Sequence, residues 1–192
     1  MSSVRAIVVL LTASVAGCAT SPENGVPISR CEASGSFKNE LHGGGGNDQI
    51  FAGDAAQMFG DEDRDLIVGQ GDDDELNGGP DADIMLGGPG ADRFVYETAS
   101  DSAADSNGDW SPQIGDTIVD FKPAAGDRLV LTRLAPPTGL QWTDQKDGAY
   151  SVWARSNDAD TILFVEMTGD RTADVAIRML GQMRLSKDAV CI

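Results

Sequence analysis

Seven apolar residues, Leu41, Ile50, Phe59, Ile67, Leu76, Met85 and Phe94, recur at intervals of 9, 9, 8, 9, 9 and 9 residues. A period of this length suits neither an α-helix nor a simple hairpin. It suits a six-residue turn followed by a three-residue strand, repeated as a coil. In such a strand side chains alternate between faces, so the apolar residue points inward and its neighbours point out. Two units complete one coil. The predicted architecture is therefore two short parallel sheets around a thin apolar core, and the repeat is the first feature to respect in reading the chain.

The residues before each apolar position support the turn. Gly43-Gly-Gly-Gly-Asn-Asp48, Gly78-Gly-Pro-Asp-Ala-Asp83 and Gly87-Gly-Pro-Gly-Ala-Asp92 are the most complete hexads. Gly60-Asp-Glu-Asp-Arg-Asp65 and Gly69-Gln-Gly-Asp-Asp-Asp74 keep the first glycine and the last aspartate. The unit from Ala52 to Phe59 is one residue short and places Gln57 at the aspartate position. Glycine admits the left-handed backbone a tight turn needs, and aspartate tolerates it next best. That accounts for Asp63, Asp72 and Asp81 at the fourth position.

These units match the Gly-Gly-x-Gly-x-Asp-x-U-x nonapeptide, and the chain is identified as resembling the RTX calcium-binding repeat proteins. The resemblance implies a parallel β-roll in which each calcium ion lies between turns two repeats apart. Each turn would offer backbone carbonyls and its sixth-position carboxylate, as a hard cation taking 6–8 oxygen ligands requires. One edge then carries Asp48, Asp65 and Asp83, and the other Asp74 and Asp92. About three well-formed sites are expected, at Asp48/Asp65, Asp65/Asp83 and Asp74/Asp92, with a weak or absent one at Gln57/Asp74. The turn residues Gly44, Gly46, Asp63, Asp72, Gly79, Asp81, Gly88 and Gly90 complete the candidate metal-binding set. The side chains of Asp63, Asp72, Asp73, Asp81 and Glu75 are expected to face solvent and add negative potential.

Charge agrees. Between Gly43 and Asp92 there are 13 acidic residues against one base, Arg64. Such a segment repels itself unless cations neutralise it, and folding becomes coupled to metal binding. The whole chain carries a net charge of −17, which argues against a nucleic-acid partner. Two EF-hand-like stretches fail on spacing. Asp61-Glu-Asp-Arg-Asp65 has Leu66 where glycine is needed and Asp72 where the bidentate glutamate belongs. Asp105-Ser-Asn-Gly-Asp109 is followed by Trp110, leaving a calcium-ordered loop or a solvated turn.

Arg5 precedes an apolar run over residues 6–16 that is too short to span a bilayer and fits the h-region of an export signal. Val15-Ala-Gly-Cys18 resembles the lipobox of bacterial lipoproteins, which implies a lipid on Cys18 and cleavage after residue 17. Once the signal is removed, Cys31 and Cys191 remain; a disulfide between them and two free thiols are the alternatives. The expected divisions are a signal over 1–17, a linker over 18–34, the roll over 35–95 and a β cap over 96–192.

In the cap, Thr117–Phe121, Arg128–Leu131, Tyr150–Trp153, Thr161–Val165 and Asp174–Ile177 read as strands separated by turn residues. The expected fold is all-β: a parallel β-roll closed by an antiparallel, sandwich-like region. From Gly87-Gly-Pro-Gly-Ala-Asp-Arg-Phe-Val-Tyr96, through Asp116-Thr-Ile-Val-Asp-Phe121 and Gly126-Asp-Arg-Leu-Val-Leu131, to Ala173-Asp-Val-Ala-Ile177 and Gly181, the chain resembles the C-terminal domain of serralysin-type secreted metalloproteases. Asp188-Ala-Val-Cys-Ile192 is similar to that family's type I secretion terminus but ends differently, and an amino-terminal lipoprotein signal conflicts with that export route.

The protease itself is missing. Zinc proteolysis needs paired histidines and a glutamate base, and the only histidine is His42, which reads as a strand end. The phasing of the carboxylates favours metal binding over glycosidase chemistry. The expected function is calcium binding by a lipid-anchored, monomeric, noncatalytic protein of the bacterial envelope or exterior. The alternatives are an accessory partner of a secreted protease or other exported protein, and an adhesin or matrix component. Trp110, Trp142 and Trp153 are expected in the cap core rather than on a ligand.

Overall fold

A computed structural model describes residues 39–134, 140–143, 150–181 and 184–192, with backbone alone at 19–20 and 29–33. The leader and the lipidation candidate Cys18 lie outside the described residues. The strands among the described residues are β1 (Ala19–Thr20), β2 (Ser29–Ala33), β3 (Asn39–Gly45), β4 (Gln49–Ala52), β5 (Ala56–Glu62), β6 (Leu66–Val68), β7 (Glu75–Asn77), β8 (Ile84–Leu86), β9 (Arg93–Val95), β10 (Thr117–Ile118), β11 (Arg128–Val130), β12 (Gln141–Trp142), β13 (Ser151–Ser156), β14 (Asp160–Glu166), β15 (Val175–Leu180) and β16 (Val190–Cys191). Short 3-10 turns lie at Ala99–Ser102 and Lys187–Ala189.

The chain alternates between two sheets. Sheet A runs β1-β2-β4-β6-β8-β10-β15-β14-β13-β12, and sheet B runs β16-β11-β9-β7-β5-β3. From β2 to β9 each strand pairs in parallel with the strand two further on. This is the β-roll. Each rung places one apolar side chain inside. Ile50, Ile67, Met85 and Ile118 line sheet A, while Leu41, Met58, Leu76, Phe94 and Leu129 line sheet B, all at 0–1% exposure. Fully burying each such side chain stabilises the coil by about 1.5–3 kcal/mol.

Met58, not Phe59, is the inward residue of its rung. The pairing sets Leu41 opposite Met58 and Met58 opposite Leu76, while Phe59 faces outward and stacks on His42 at 4.6 Å. The eight-residue interval therefore falls between Ile50 and Met58. A consequence reaches the turn: Ala56, not Gln57, stands at the aspartate position, and the Gln57 amide lies outside, donating to Glu75 at 3.0 Å.

The roll also runs on past residue 95. β10 pairs in parallel with β8 and β11 with β9, keeping Ile118 beside Met85 and Leu129 beside Phe94. The predicted cap strands Thr117–Phe121 and Arg128–Leu131 thus supply two more rungs. The antiparallel part is β13-β14-β15, which joins the roll edgewise because β15 pairs in parallel with β10. On the other sheet β16 adds beside β11. Trp153 packs with Phe164, Ala173 and Ala176, and Trp110 lies against that cluster.

This order removes the Cys31–Cys191 disulfide. Cys31 is in β2 at the start of the stack and Cys191 in β16 at its end. The intervening strand spacings amount to roughly 24 Å, beyond the reach of a disulfide, and the Cys191 thiol is free.

Candidate metal-binding columns

The turns are built as their residue types demand. The second residue of successive turns has positive φ whether it is Gly44 (95°), Asp61 (71°), Gln70 (72°), Gly79 (92°) or Gly88 (96°). The fourth residue does the same at Gly46 (102°), Asp63 (74°), Asp72 (67°) and Asp81 (86°). Aspartate accepts this backbone at less cost than most side chains. Asp63, Asp72 and Asp81 are exposed, as their expected solvent-facing side chains require. Asp63 nonetheless accepts the Gly46 N–H at 3.1 Å.

The sixth-position aspartates turn inward and stack. Oδ1 of Asp65 accepts the Asp48 N–H at 2.7 Å, Asp83 accepts that of Asp65 at 2.7 Å, and Asp116 accepts that of Asp83 at 2.8 Å. On the opposite edge Asp74 accepts the Ala56 N–H at 2.8 Å, Asp92 accepts that of Asp74 at 3.0 Å, and Asp127 accepts that of Asp92 at 3.2 Å. Two carboxylate columns result, with four aspartates in the first and three in the second. The second oxygen behaves otherwise. Oδ2 of Asp48, Asp65, Asp74, Asp83, Asp92 and Asp116 is buried without a hydrogen-bond partner. Buried carboxylate oxygens are ordinarily paired, because an uncompensated one is costly.

Beside Oδ2 of Asp48, Asp65 and Asp74 lies a main-chain carbonyl oxygen of the next coil. A Cβ added to Gly60 would lie 2.2 Å from the Gly78 carbonyl oxygen and 2.3 Å from Asp65 Oδ2. One added to Gly69 would lie 2.3 Å from Asp74 Oδ2 and 2.5 Å from the Gly87 carbonyl oxygen. At Gly43 the equivalents are the Gly60 carbonyl at 2.5 Å and Asp48 Oδ2 at 2.8 Å. Glycine at these places leaves room where carboxylate and carbonyl oxygens of adjacent coils converge. Among the described residues no three histidine, cysteine or acidic side chains surround one point; carboxylates combine instead with main-chain carbonyls. That is the donor set of a hard cation such as calcium.

The electrostatics point the same way. Burial, and secondly the neighbouring carboxylates, push Asp65 up to about 9, Asp74 to about 7 and Asp92 to about 6. Asp83 is raised by burial and then by Asp81 and Asp101. Asp116 is raised well above the carboxylate range by burial and then by Asp83. Without a cation, this interior favours neutral acids.

The profile of the Peptidase M10 serralysin C terminal family matches residues 31–191. The chain belongs to this family. The match is to the noncatalytic C-terminal domain of the serralysin-type proteases, and no protease domain is evident. No curated protein matches the chain. Among solved structures it is similar to two subunits of the Azotobacter vinelandii mannuronan C5-epimerase. The AlgE6R2 subunit is 24% identical, with 80% of this chain and 86% of that one covered and a TM-score of 0.45. The AlgE6R3 subunit is 26% identical, with 92% and 85% covered and a TM-score of 0.43.

Within this serralysin C-terminal domain, two column members escaped the repeat count. Asp116 and Asp127 follow insertions that break the nine-residue spacing, yet each retains the signature of aspartate followed two residues later by a core residue. Asp116-Thr-Ile118 and Asp127-Arg-Leu129 repeat Asp65-Leu-Ile67 and Asp92-Arg-Phe94. Asp120 also contributes, accepting the N–H groups of Gly87 and Gly88 at 3.0 and 2.9 Å. At the ends of the second column the pattern lapses. Ala56 has no carboxylate, and Asp127 spends its other oxygen on the Lys122 N–H at 2.7 Å. His42 is an exposed side chain of β3, between Glu40 at 3.0 Å and Asp61 at 3.1 Å, which raise its pKa. The Asp105 loop closes on itself, Asp105 accepting the Asn107 and Asp109 N–H groups at 2.8 and 3.0 Å.

Proposed function

We propose that the protein is a calcium-binding module whose roll is ordered by the ions it holds, exported and tethered through a lipid on Cys18, with no catalysis of its own. The observation that carries this reading is the repeated half-satisfied aspartate: one buried oxygen bonded to the preceding coil, the other facing a space walled by oxygens. Asp48/Asp65, Asp65/Asp83 and Asp74/Asp92 would hold ions, and Asp83/Asp116 extends the first column by one. Carbonyls of Gly60, Gly78 and Gly87 would share in ligation. A bound cation supplies positive charge that lets the buried carboxylates ionise. Membership of a family of secreted-protease domains supports a place outside the cytoplasm.

Calorimetric titration of the mature chain with Ca²⁺, beside Mg²⁺, tests this, with circular dichroism in parallel. Uptake of several Ca²⁺ ions with a gain of β signal, absent with Mg²⁺, is the expected result. No heat and no spectral change at millimolar Ca²⁺ sinks the proposal.

A second reading, docking of another exported protein, draws on a groove of about 350 Å³ on the outer face of sheet B. Phe59, Val95 and Val130 line it, flanked by Arg93 and Arg133. Co-purification from calcium-containing medium tests it: an exported partner lost on substituting Arg93 favours docking, and none recovered removes it.

A further inference from the structure

The two outer faces of the roll differ in chemistry. Sheet B presents Gln57, Glu75 and Arg93 in one row, bridged by the Gln57–Glu75 hydrogen bond and the Arg93–Glu75 ion pair at 3.1 Å. Between polar Gln49 of β4 and Thr117 of β10, sheet A presents Leu66 and Ile84 in one row, and it presents Phe51, Val68 and Leu86 in the next, as the register of β4, β6, β8 and β10 dictates. Val119 continues the second row beyond β10. None of these six apolar residues is buried, and Ile84, at 45% exposure, is the most exposed large apolar residue described.

Farther along the same face the sheet is roofed. The segment between β9 and β10 lays Ala104 and Trp110 over Trp153, Phe164 and Ala176, and its last reach toward the roll is the Pro112 carbonyl, which accepts from Arg64 at 3.3 Å. Over β6 and β8 no described segment takes that place. The acidic turns lie along the two edges of the roll, so the apolar face itself carries none of their charge.

The position of this face in the chain identifies what covers it. β1 begins at Ala19, one residue after Cys18, and pairs with β2 at the edge of sheet A. An acyl chain on Cys18 would therefore be attached one residue before the edge strand of the sheet whose outer face is apolar. We infer that the outer face of sheet A, centred on Leu66, Val68, Ile84 and Leu86, rests on the lipid surface when the protein is anchored. This rests on the proposed lipid anchor. The contact orients the roll: sheet A meets the membrane, the sheet B groove points away, and both carboxylate columns stay open to extracellular calcium. Apolar contact of this kind strengthens binding in proportion to the area it buries and acts as a second signal beside an acyl chain.

The test uses full-length, calcium-loaded protein purified from membranes and reconstituted into phosphatidylethanolamine vesicles doped with brominated phosphatidylcholine, which quenches tryptophan at the lipid boundary. Ile84→Trp places a reporter on sheet A and Arg93→Trp one on sheet B, each read as emission added to the parent. The expected result is loss of the added emission from Ile84→Trp and its retention in Arg93→Trp. Equal retention in both overturns the inference while leaving the anchor intact. The anchor is judged separately, by the mass of the peptide bearing Cys18. Should Cys18 carry no lipid, a Cys18→Ser chain with the same vesicles decides the face alone: quenching at Ile84→Trp upholds it and no quenching removes it. If the parent sediments as a dimer that Ile84→Glu dissociates, a second copy covers the face and the inference falls.

Discussion

Replacing Asp65 by asparagine should move stability in opposite directions with and without calcium. Asp65 is shared by both predicted sites on its edge, and Asn keeps the Oδ1 that accepts the Asp48 N–H. Take the metal-free protein first. In the folded roll burial raises Asp65 to about 9, whereas an unfolded aspartate titrates near 3.9. Between those values the folded state binds the extra proton, so stability falls as pH rises. At pH 7 the full penalty approaches ~4 kcal/mol, and solvent screening at the roll's edge reduces it to on the order of 2 kcal/mol. Asn carries no such penalty. Its amide N–H also faces the space beside Gly60 that contains the Gly78 carbonyl oxygen.

With calcium the balance inverts. A site with Kd near 10⁻⁴–10⁻³ M contributes about 1.4–2.7 kcal/mol at ~10 mM Ca²⁺. Losing a carboxylate common to two sites therefore forfeits roughly 3–5 kcal/mol if both fail, and against the ~2 kcal/mol gained without metal this leaves the variant about 1–3 kcal/mol less stable in calcium. Urea melts at pH 7 in chelator and in Ca²⁺ supply the assay. The expected result is a variant more stable than the parent in chelator and less stable in calcium. Equal destabilisation in both media would mean that Asp65 serves only as a backbone acceptor, and the metal argument would fail at its central residue.

Calcium-free parent protein should lose stability steadily between pH 5 and pH 8, by up to about 1.4 kcal/mol per unit for each raised carboxyl, and saturating Ca²⁺ should flatten that slope; a rising apo profile contradicts the buried acids. Met58→Ala should cost about 2–5 kcal/mol in Ca²⁺ and Phe59→Ala distinctly less, read by chemical melts, because Met58 is the inward member; the reverse order would put Phe59 inside and move the eight-residue interval to Phe59–Ile67. Gly60→Ala should weaken Ca²⁺ uptake, since its Cβ collides with two oxygens at 2.2 and 2.3 Å, while Gly71→Ala, with nothing within 4 Å, should titrate like the parent. Ala56→Asp should add one Ca²⁺ to the calorimetric count by completing a pair with Asp74; an unchanged count would show that the short turn, not the missing carboxylate, excludes the ion.

The roll was legible because its code is local. Each Gly-x-x-x-x-Asp-x-U unit states its turn, its inward residue and its carboxylate within nine positions, and five such units lie in phase. Legibility failed where two adjacent residues could satisfy the same code. Met58 and Phe59 are both apolar, and either choice leaves one eight-residue interval, before Met58 or after Phe59, so only cross-strand pairing could show which of them is inward. It failed again where the code is interrupted. The segments before Asp116 and before Asp127 hide the fact that Thr117–Ile118 and Arg128–Val130 return to parallel register with β8 and β9. Short apolar strands carry no mark of which neighbour they will pair with; long-range hydrogen bonding decides it. The disulfide alternative depended on how the two ends meet, and a coil that advances one strand spacing per turn carries them apart.

The two columns are not equivalent, and their difference sets the direction in which metal can act on the rest of the molecule. The second column is closed by protein at both ends, with Ala56 offering only an N–H and Asp127 engaged by two N–H groups. The first keeps an orphan oxygen at every level from Asp48 to Asp116. It is also the edge that touches the cap. The Asp116 N–H donates to Ser102 Oγ at 2.8 Å, Ser102 donates to the Ala176 carbonyl in β15 at 2.8 Å, and the Asp81 N–H donates to the Ser100 carbonyl at 3.4 Å. A cation settling Asp83 and Asp116 would thereby fix Ser102 against β15, and through β15 the antiparallel strands. The insertion that disrupts the repeat in sequence is, in space, the link between the ion-bearing edge and the cap, so cap order should follow occupancy of the first column rather than the second.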